Sequence, residues 1–210
     1  MDSKVKRTQK NVVKANTKPK ELLTLHFGNA GINIGESFWK QQCIENGIDY
    51  EGVFHGEGNI SHQGEPIPTY FNELNGGLYE PRSIFIDTDY STIDTLSSFE
   101  MKSLFNPNSF IKGKEECMTF ARGSYTIGKS LEESINNTIS QKLESLTNFD
   151  GVMIFSSLAG GVGSGLMSNI VKKWKNNYSN NLSLGIHLLP SKDLMGEACE
   201  VYNAVLALGE

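Results

Sequence analysis

Two short apolar runs in this chain each lead through glycines into a helix-like pattern, and few folds accommodate that arrangement twice. LLTLHF (Leu22–Phe27) runs into Gly28-Asn29-Ala30-Gly31. GVMIFS (Gly151–Ser156) runs into Ala159-Gly160-Gly161-Val162-Gly163-Ser164-Gly165, with four glycines in the six positions from 160. A glycine costs about 1 kcal/mol relative to alanine inside a helix, so such clusters need a cause. One is a tight turn ahead of an ordinary helix. The other is an anion: unpaired N–H groups and the dipole at a helix N-terminus attract phosphate, and residues without side chains let it approach.

The rest of the chain repeats the alternation. After the first run, Ile32, Phe38, Trp39 and Ile44 recur at helical spacing until Asn46-Gly47 stops them. Residues 48–80 are rich in Gly, Pro, Asn and His and read as a long surface excursion. SIFID (Ser83–Asp87) is a second strand, and residues 125–147 carry Ile127, Leu131, Ile135, Ile139, Leu143 and Leu146 at three- and four-residue intervals. A helix continues from the second glycine cluster to about Trp174, LSLGIHLL (Leu182–Leu189) reads as a fourth strand, and a last helix starts near Glu197. The expected fold class is α/β: a parallel, doubly wound sheet of four or so strands covered on both faces. In such sheets, ligands sit outside the carboxyl ends of the strands.

That rule collects the polar features on one rim. The first strand ends in Gly28-Asn29-Ala30-Gly31, the second in Asp87 with Asp89 beyond it, the third in the second glycine cluster and the fourth in a polar loop, Pro190 to Glu200. Two glycine-rich helix starts and two carboxylates suit a di- or triphosphate with Asp87 and Asp89 near a hydrated Mg²⁺. Either Asp alone also suits a capped turn. Gly123-Ser124-Tyr125-Thr126-Ile127-Gly128-Lys129-Ser130 fits the P-loop expression GxxxxGK[ST]. Its context does not: charged, mixed residues precede it where a buried strand is required, and Tyr125 and Ile127 already fit the rhythm of the following helix.

Composition excludes several classes. Hydrophobic content of 38% in 210 residues permits a sizeable core, and a net charge of −5 gives no general attraction to nucleic acid or anionic membrane. No apolar run approaches membrane-spanning length. Cys43, Cys117 and Cys199 are widely spaced and odd in number, and read as reduced thiols without zinc. Residues 1–20 hold seven basic residues against one acid, Asp2. They read as a disordered basic arm that touches an acidic partner, directs import into an organelle, or is simply solvated.

Six segments in order carry a resemblance: GNAGINIGESFWKQQCIENGIDYEG (Gly28–Gly52), PRSIFIDTDYSTID (Pro81–Asp94), LFNPNSFIKGKEE (Leu104–Glu116), ARGSYTIGK (Ala121–Lys129), AGGVGSG (Ala159–Gly165) and EVYNA (Glu200–Ala204). The chain from Glu21 to Glu210 resembles the tubulin family, closest to its α type, with a tubulin/FtsZ-like, Rossmann-type half-domain. The resemblance implies GTP or GDP with Mg²⁺. Gly28, Asn29 and Ala30 would stand at the phosphates, Asn33 and Glu116 would also bind the nucleotide, Asp87 and Asp89 would stand near the metal, and Glu200 would face the ribose. Ala159, Gly160, Gly161, Val162, Gly163 and Ser164 would form the signature phosphate loop. It also implies tubulin-like partners and a cytoplasmic, cytoskeletal location, with at most a GTPase that acts in an assembly, since no catalytic set is evident.

The departures bear on function. Where the family's loop reads GGGTGSG, Ala159 and Val162 replace a glycine and a threonine, which removes a hydroxyl. Asn29 stands for a longer Gln, neither of the family's phosphate-contacting asparagines appears in Glu116–Phe120, and Gly196 aligns with an often ribose-contacting Asp. The resemblance stops at Glu210, about halfway through the family's nucleotide domain, and a half-domain of this kind would expose a sheet edge and an apolar helix face. Two functions are expected: an α-tubulin-like, GTP-binding structural constituent of microtubules or an associated assembly, or a nucleotide-free structural subunit docked in a larger complex, another protein covering that face.

Overall fold

The computed structural model describes residues 19–56, 69–96, 100–191 and 198–210; most of the basic arm and the centre of the 48–80 segment lie outside them. β1 (Glu21–Phe27) passes directly into α1 (Gly28–Asn46), which ends where Gly47 adopts a left-handed conformation (φ 67°) and its N–H closes on the Cys43 carbonyl. β2 (Phe71–Glu73) and β3 (Tyr79–Pro81) form an antiparallel hairpin ahead of β4 (Ser83–Asp87), α2 (Tyr90–Leu96) and β5 (Phe110–Lys112). α3 (Ile127–Glu144), β6 (Phe149–Ser157), α4 (Met167–Asn177), β7 (Leu182–Leu188) and α5 (Ala198–Leu208) complete the chain. The main sheet has the order β5-β4-β1-β6-β7, with every pairing parallel. The chain winds outward from β1 through β4 to β5, then crosses to β6 and β7 on the other side, so the winding reverses beside β1.

Alternation along the strands splits the core in two. Leu23, Leu25 and Phe27 face one side with Ile84, Ile86, Val152 and Ile154, under Ile135 and Ile139 of α3 and Ile170 and Trp174 of α4. The opposite face is packed by Ile32, Trp39 and Cys43 of α1 with Phe85, Met101, Leu104 and Phe105. This second cluster corrects the expectation that residues 48–80 are mere surface. Ile48 and Phe71 are buried in it, and Tyr70 and Phe71 meet the Trp39 ring edge-on. The Gly and Pro content of that stretch conceals aromatic residues that α1 requires as cover.

At the centre of the second face lies His26, fully buried. Its ring stacks between Phe85 and Phe155 at centroid distances of 4.6 and 4.8 Å, its register partners on the neighbouring strands. The hydrogen bonds specify one neutral tautomer. Nδ1–H donates to the Gly31 carbonyl at 3.2 Å, because a carbonyl can only accept, and Nε2 accepts the Trp39 indole N–H at 3.3 Å. α1 approaches this closely because Gly31 has no side chain: a Cβ there would stand 2.4 Å from the Phe155 carbonyl oxygen. At the other end of the strands, Glu21 accepts the N–H groups of Thr147 and Asn148 at 2.7 Å each and pairs with Arg82 at 2.9 Å, tying β1 to β4 and to the start of β6.

The P-loop look-alike is a packing element. Residues 122–126 form a π turn that opens α3, and no strand runs into them. Gly123 lies against the Gly161 carbonyl, just ahead of a matching π turn at Val162–Leu166 that opens α4. Ser124 and Asn169 stitch the two together by hydrogen bonds. Tyr125 is exposed, so its apparent place in the apolar rhythm was fortuitous. β7 also departs from expectation: among the described residues its two faces are open, with Leu182, Leu184, Ile186 and Leu188 all exposed.

Burial lowers the His26 pKa from 6.5 to about 3. Between those values the unfolded chain binds the proton that the folded chain excludes, so stability falls as the medium is acidified through this window and is fully present above it. Urea unfolding at about pH 7.5 and about pH 5 should differ by about 2 kcal/mol from His26, and replacement of His26 by Gln should flatten the dependence.

Candidate functional site

An open cleft of about 640 Å³ lies at the carboxyl ends of β1, β4 and β6, where the winding reverses. A second cleft, of about 250 Å³, lies between the β2–β3 hairpin and α3. There Arg82 is paired with Glu21 and Lys142 with Glu80 at 2.6 Å, so its charges are already matched. The larger cleft is where a doubly wound sheet accepts a ligand, and its wall contains most of the residues singled out from sequence.

Gly28, Asn29 and Ala30 form its first side. α1 begins at Gly28 (φ 69°) directly from Phe27, with no side chain capping its first N–H groups. Gly160, Gly161, Val162 and Gly163 form the second side, where the π turn before α4 likewise starts without a side-chain cap. Two helix starts without side-chain caps therefore meet at one space, and the first N–H groups of a helix have no partner within it. Between them stand Asp87, Asp89 and Glu116, together with Thr88, Ser91, Thr92, Cys117 and Ser157. The hydroxyl residues and Ser157 were not anticipated; only the doublet Ser91-Thr92, following the two aspartates, offered a signal in sequence.

The glycines of the second side do different jobs. A Cβ on Gly161 would meet the backbone of Thr119 at 2.6 Å, and one on Gly163 would meet the Ser157 carbonyl at 2.1 Å. These two are required by close backbone packing whatever the cleft holds. Gly160 alone among them has nothing within 4 Å of a Cβ, so its bareness serves the open space. Val162, between them, is buried and apolar, 3.5 Å from where a Cβ on Gly28 would stand.

Four residues expected at the site do not line the cleft. Asn33 lies one turn further along α1 and donates to the Asn29 Oδ1 at 3.0 Å, holding that side chain from behind. Ser164 is fully buried and turns its hydroxyl to the Gly160 carbonyl at 2.6 Å, so it fastens the loop from within. Ala159 points its carbonyl toward α5. Glu200 is half-buried in the first turn of α5.

The two aspartates are not equivalent. Asp89 accepts the Ser91 hydroxyl and N–H at 2.5 and 2.9 Å, which hold its pKa below the usual carboxylate range; it caps α2. Asp87 is buried, and desolvation raises its pKa, opposed by the N–H groups of Asp89 and Thr88 and the Thr92 hydroxyl. A buried carboxylate of this kind has most to gain from a cation. No cluster of three or more His, Cys, Asp or Glu side chains suited to a metal occurs among the described residues. Asp87 and Asp89 as donors suit Mg²⁺, which keeps several waters and takes one or two carboxylates plus phosphate oxygens. The glycine cradle with its two uncapped helix starts fits a phosphate chain. No helix among the described residues is long and apolar enough to cross a membrane.

Comparison with known proteins agrees with this arrangement. A model of the tubulin/FtsZ family GTPase domain matches residues 21–210. Over 189 residues the chain is 33% identical to the tubulin alpha-3 chain of Zea mays, an alignment that takes in 90% of this chain and 42% of that relative. The chain thus spans less than half the length of the relative it matches. The parallel five-stranded sheet and the resemblance read from six ordered segments meet in one conclusion: from Glu21 to Glu210, this chain belongs to the tubulin/FtsZ family.

Proposed function

We propose that residues 21–210 are an α-tubulin-like guanine-nucleotide domain that works in a cytoskeletal assembly, as a structural constituent and not as a free-standing enzyme. The observation that carries this reading is the convergence of two uncapped helix starts and the buried Asp87 on one cleft. The backbone N–H groups around Gly28–Ala30 and Gly160–Gly163 hold phosphate oxygens, and Asn29, braced by Asn33, reaches them with its side chain. Asp87 orients water or a cation beside them, and Asp89 keeps α2 in place while adding negative charge. A bound Mg²⁺ supplies charge neutralisation for the phosphates. Residues 1–20 are proposed to be a separate basic arm.

The second reading, a nucleotide-free structural subunit, draws on Val162 and Ser164. One is a buried apolar side chain at the position where the resemblance implies a threonine, and the other spends its hydroxyl on the loop itself. Nucleotide content of the protein purified from its native source separates the two. Under the first reading GTP binds, but weakly, and Val162→Thr strengthens it. A hydrogen bond to a charged group is worth about 1.5–3 kcal/mol, so titration calorimetry should show a gain of about ten-fold or more. No gain would place the residue outside phosphate contact.

Asp87→Ala should weaken GTP binding in Mg²⁺ more than in EDTA. Equal losses in both would remove Asp87 from the metal and leave it a purely structural role.

The proposal includes a partner, tubulin-like or otherwise, on the apolar face left open by β7, with a second exposed apolar surface on the outer side of α5. Leu184, Ile186, Val201 and Val205 are exposed there, and each such side chain is worth roughly 1.5–3 kcal/mol when fully buried. Light scattering of the 210-residue chain alone should therefore show association, and Leu184→Lys with Ile186→Lys should shift it toward monomer. A monodisperse unmodified chain would argue against a partner on this face.

A further inference from the structure

Asn203 is 99% buried on the inner side of α5, yet it touches no apolar role. Its Oδ1 accepts the Phe120 N–H at 2.7 Å, and its Nδ2 donates to the Met118 and Ala159 carbonyls, each at 2.8 Å. All three partners are backbone groups, 44 to 85 residues away along the chain. They belong to the two strips that face each other across one corner of the cleft. Met118 and Phe120 follow Glu116 and Cys117 on one wall; Ala159 precedes Gly160 and Gly161 on the other. The strips also touch directly, Gly161 against the backbone of Cys117 and Thr119.

We propose that Asn203 is a positioning residue for nucleotide binding: it sets the separation of the two cleft walls and locks both to α5. The inference rests on the nucleotide reading of the cleft. The geometry admits few substitutes. One group must accept from an N–H while another, on the same carbon, donates to two carbonyls, and only a carboxamide does both. Ionised aspartate has the same shape but presents an anion to the Met118 and Ala159 oxygens, which repels them and opens the corner beside Gly160. Such a loosened cradle holds the phosphates with misaligned N–H groups, and a bound nucleotide leaves faster.

The test uses the full chain and a fluorescent GDP analogue, with its dissociation followed by stopped flow from about pH 5.5 to about pH 8. The comparison is between the unmodified protein and Asn203→Asp. At the alkaline end the variant should release the analogue about ten-fold faster or more, as expected for loss of about 1.4 kcal/mol. As the medium is acidified the buried carboxyl takes a proton, regains one donor, and the rate should return toward that of the unmodified protein. The groups facing this corner, Asp87, Asp89, Glu116 and Cys117 from the cleft and Cys199 and Glu200 from α5, are common to both proteins, so the ratio of rates isolates residue 203. A role in stability alone would move the variant's unfolding transition with pH but leave its release rate equal to that of the unmodified protein. Circular dichroism accompanies each point. If Asn203→Asp is unfolded at alkaline pH, Asn203→Ser, uncharged and smaller, replaces it with an expected acceleration of about five-fold or more. Equal release rates at every pH, or for the serine variant, would overturn the proposal while leaving the nucleotide reading intact. Failure of the unmodified chain to bind the analogue at all would overturn that reading, and the proposal with it.

Discussion

Everything else in the molecule follows from the parallel pairing of β1 with a neighbour on each side, β4 and β6. A strand paired on both edges and covered on both faces must satisfy its whole backbone through the ladder, and its side chains must fill two different cores. β1 does so by alternation: Leu23, Leu25 and Phe27 to one side, Thr24 and His26 to the other. The register then brings His26 between Phe85 and Phe155, and the carboxyl ends of the three central strands finish level with one another. A helix leaving β1 and another leaving β6 must start at that same rim. The cleft is thus a consequence of the sheet's order before any residue is chosen for binding.

What the particular residues add is control over how closely the two rims approach. Gly31 lets α1 settle on the Phe155 backbone, and Gly123, Gly161 and Gly163 let the π turns and the β6 end come into backbone contact. Asp87 and Asp89 show how the same chemistry divides by burial. The less buried one is satisfied by its own helix, while desolvation of the other makes its charged form depend on the N–H groups and the hydroxyl around it. Around this rigid rim the remaining surface is lopsided, with β1 and β4 enclosed and β7 open on both faces among the described residues.

The elements with long apolar patterns were legible in sequence. Ser83–Asp87 was read with its observed limits, and β1, β6 and β7 within two residues or so, because buried parallel strands are continuous apolar runs. The three-residue strands β2, β3 and β5 were not, since three residues carry no period. The π turns were hidden for a related reason: Tyr125 sits at a spacing that suits an α-helix, and the extra residue per turn that carries it to the surface has no signature in composition. At the site, glycines and aspartates were visible as types and their order along the chain placed them on one rim. Their division of labour was not visible. That Ser164 faces inward, that Asn33 braces Asn29, and that Asn203 joins three distant backbone groups are facts of tertiary hydrogen bonding, which one-dimensional spacing cannot encode.

The unequal surroundings of neighbouring glycines in the second loop have a consequence for how this segment can change over time. At Gly161 and Gly163 any side chain collides with main-chain atoms that cannot move without displacing β6 or the approach to α3. At Gly160, one position away, a side chain would enter open space and leave the packing untouched. Tolerance to substitution is therefore polarised within four consecutive residues. The loop's scaffold is frozen while its open side is free to drift, and a lineage could reshape what the cleft accepts through Gly160 while keeping the fold intact.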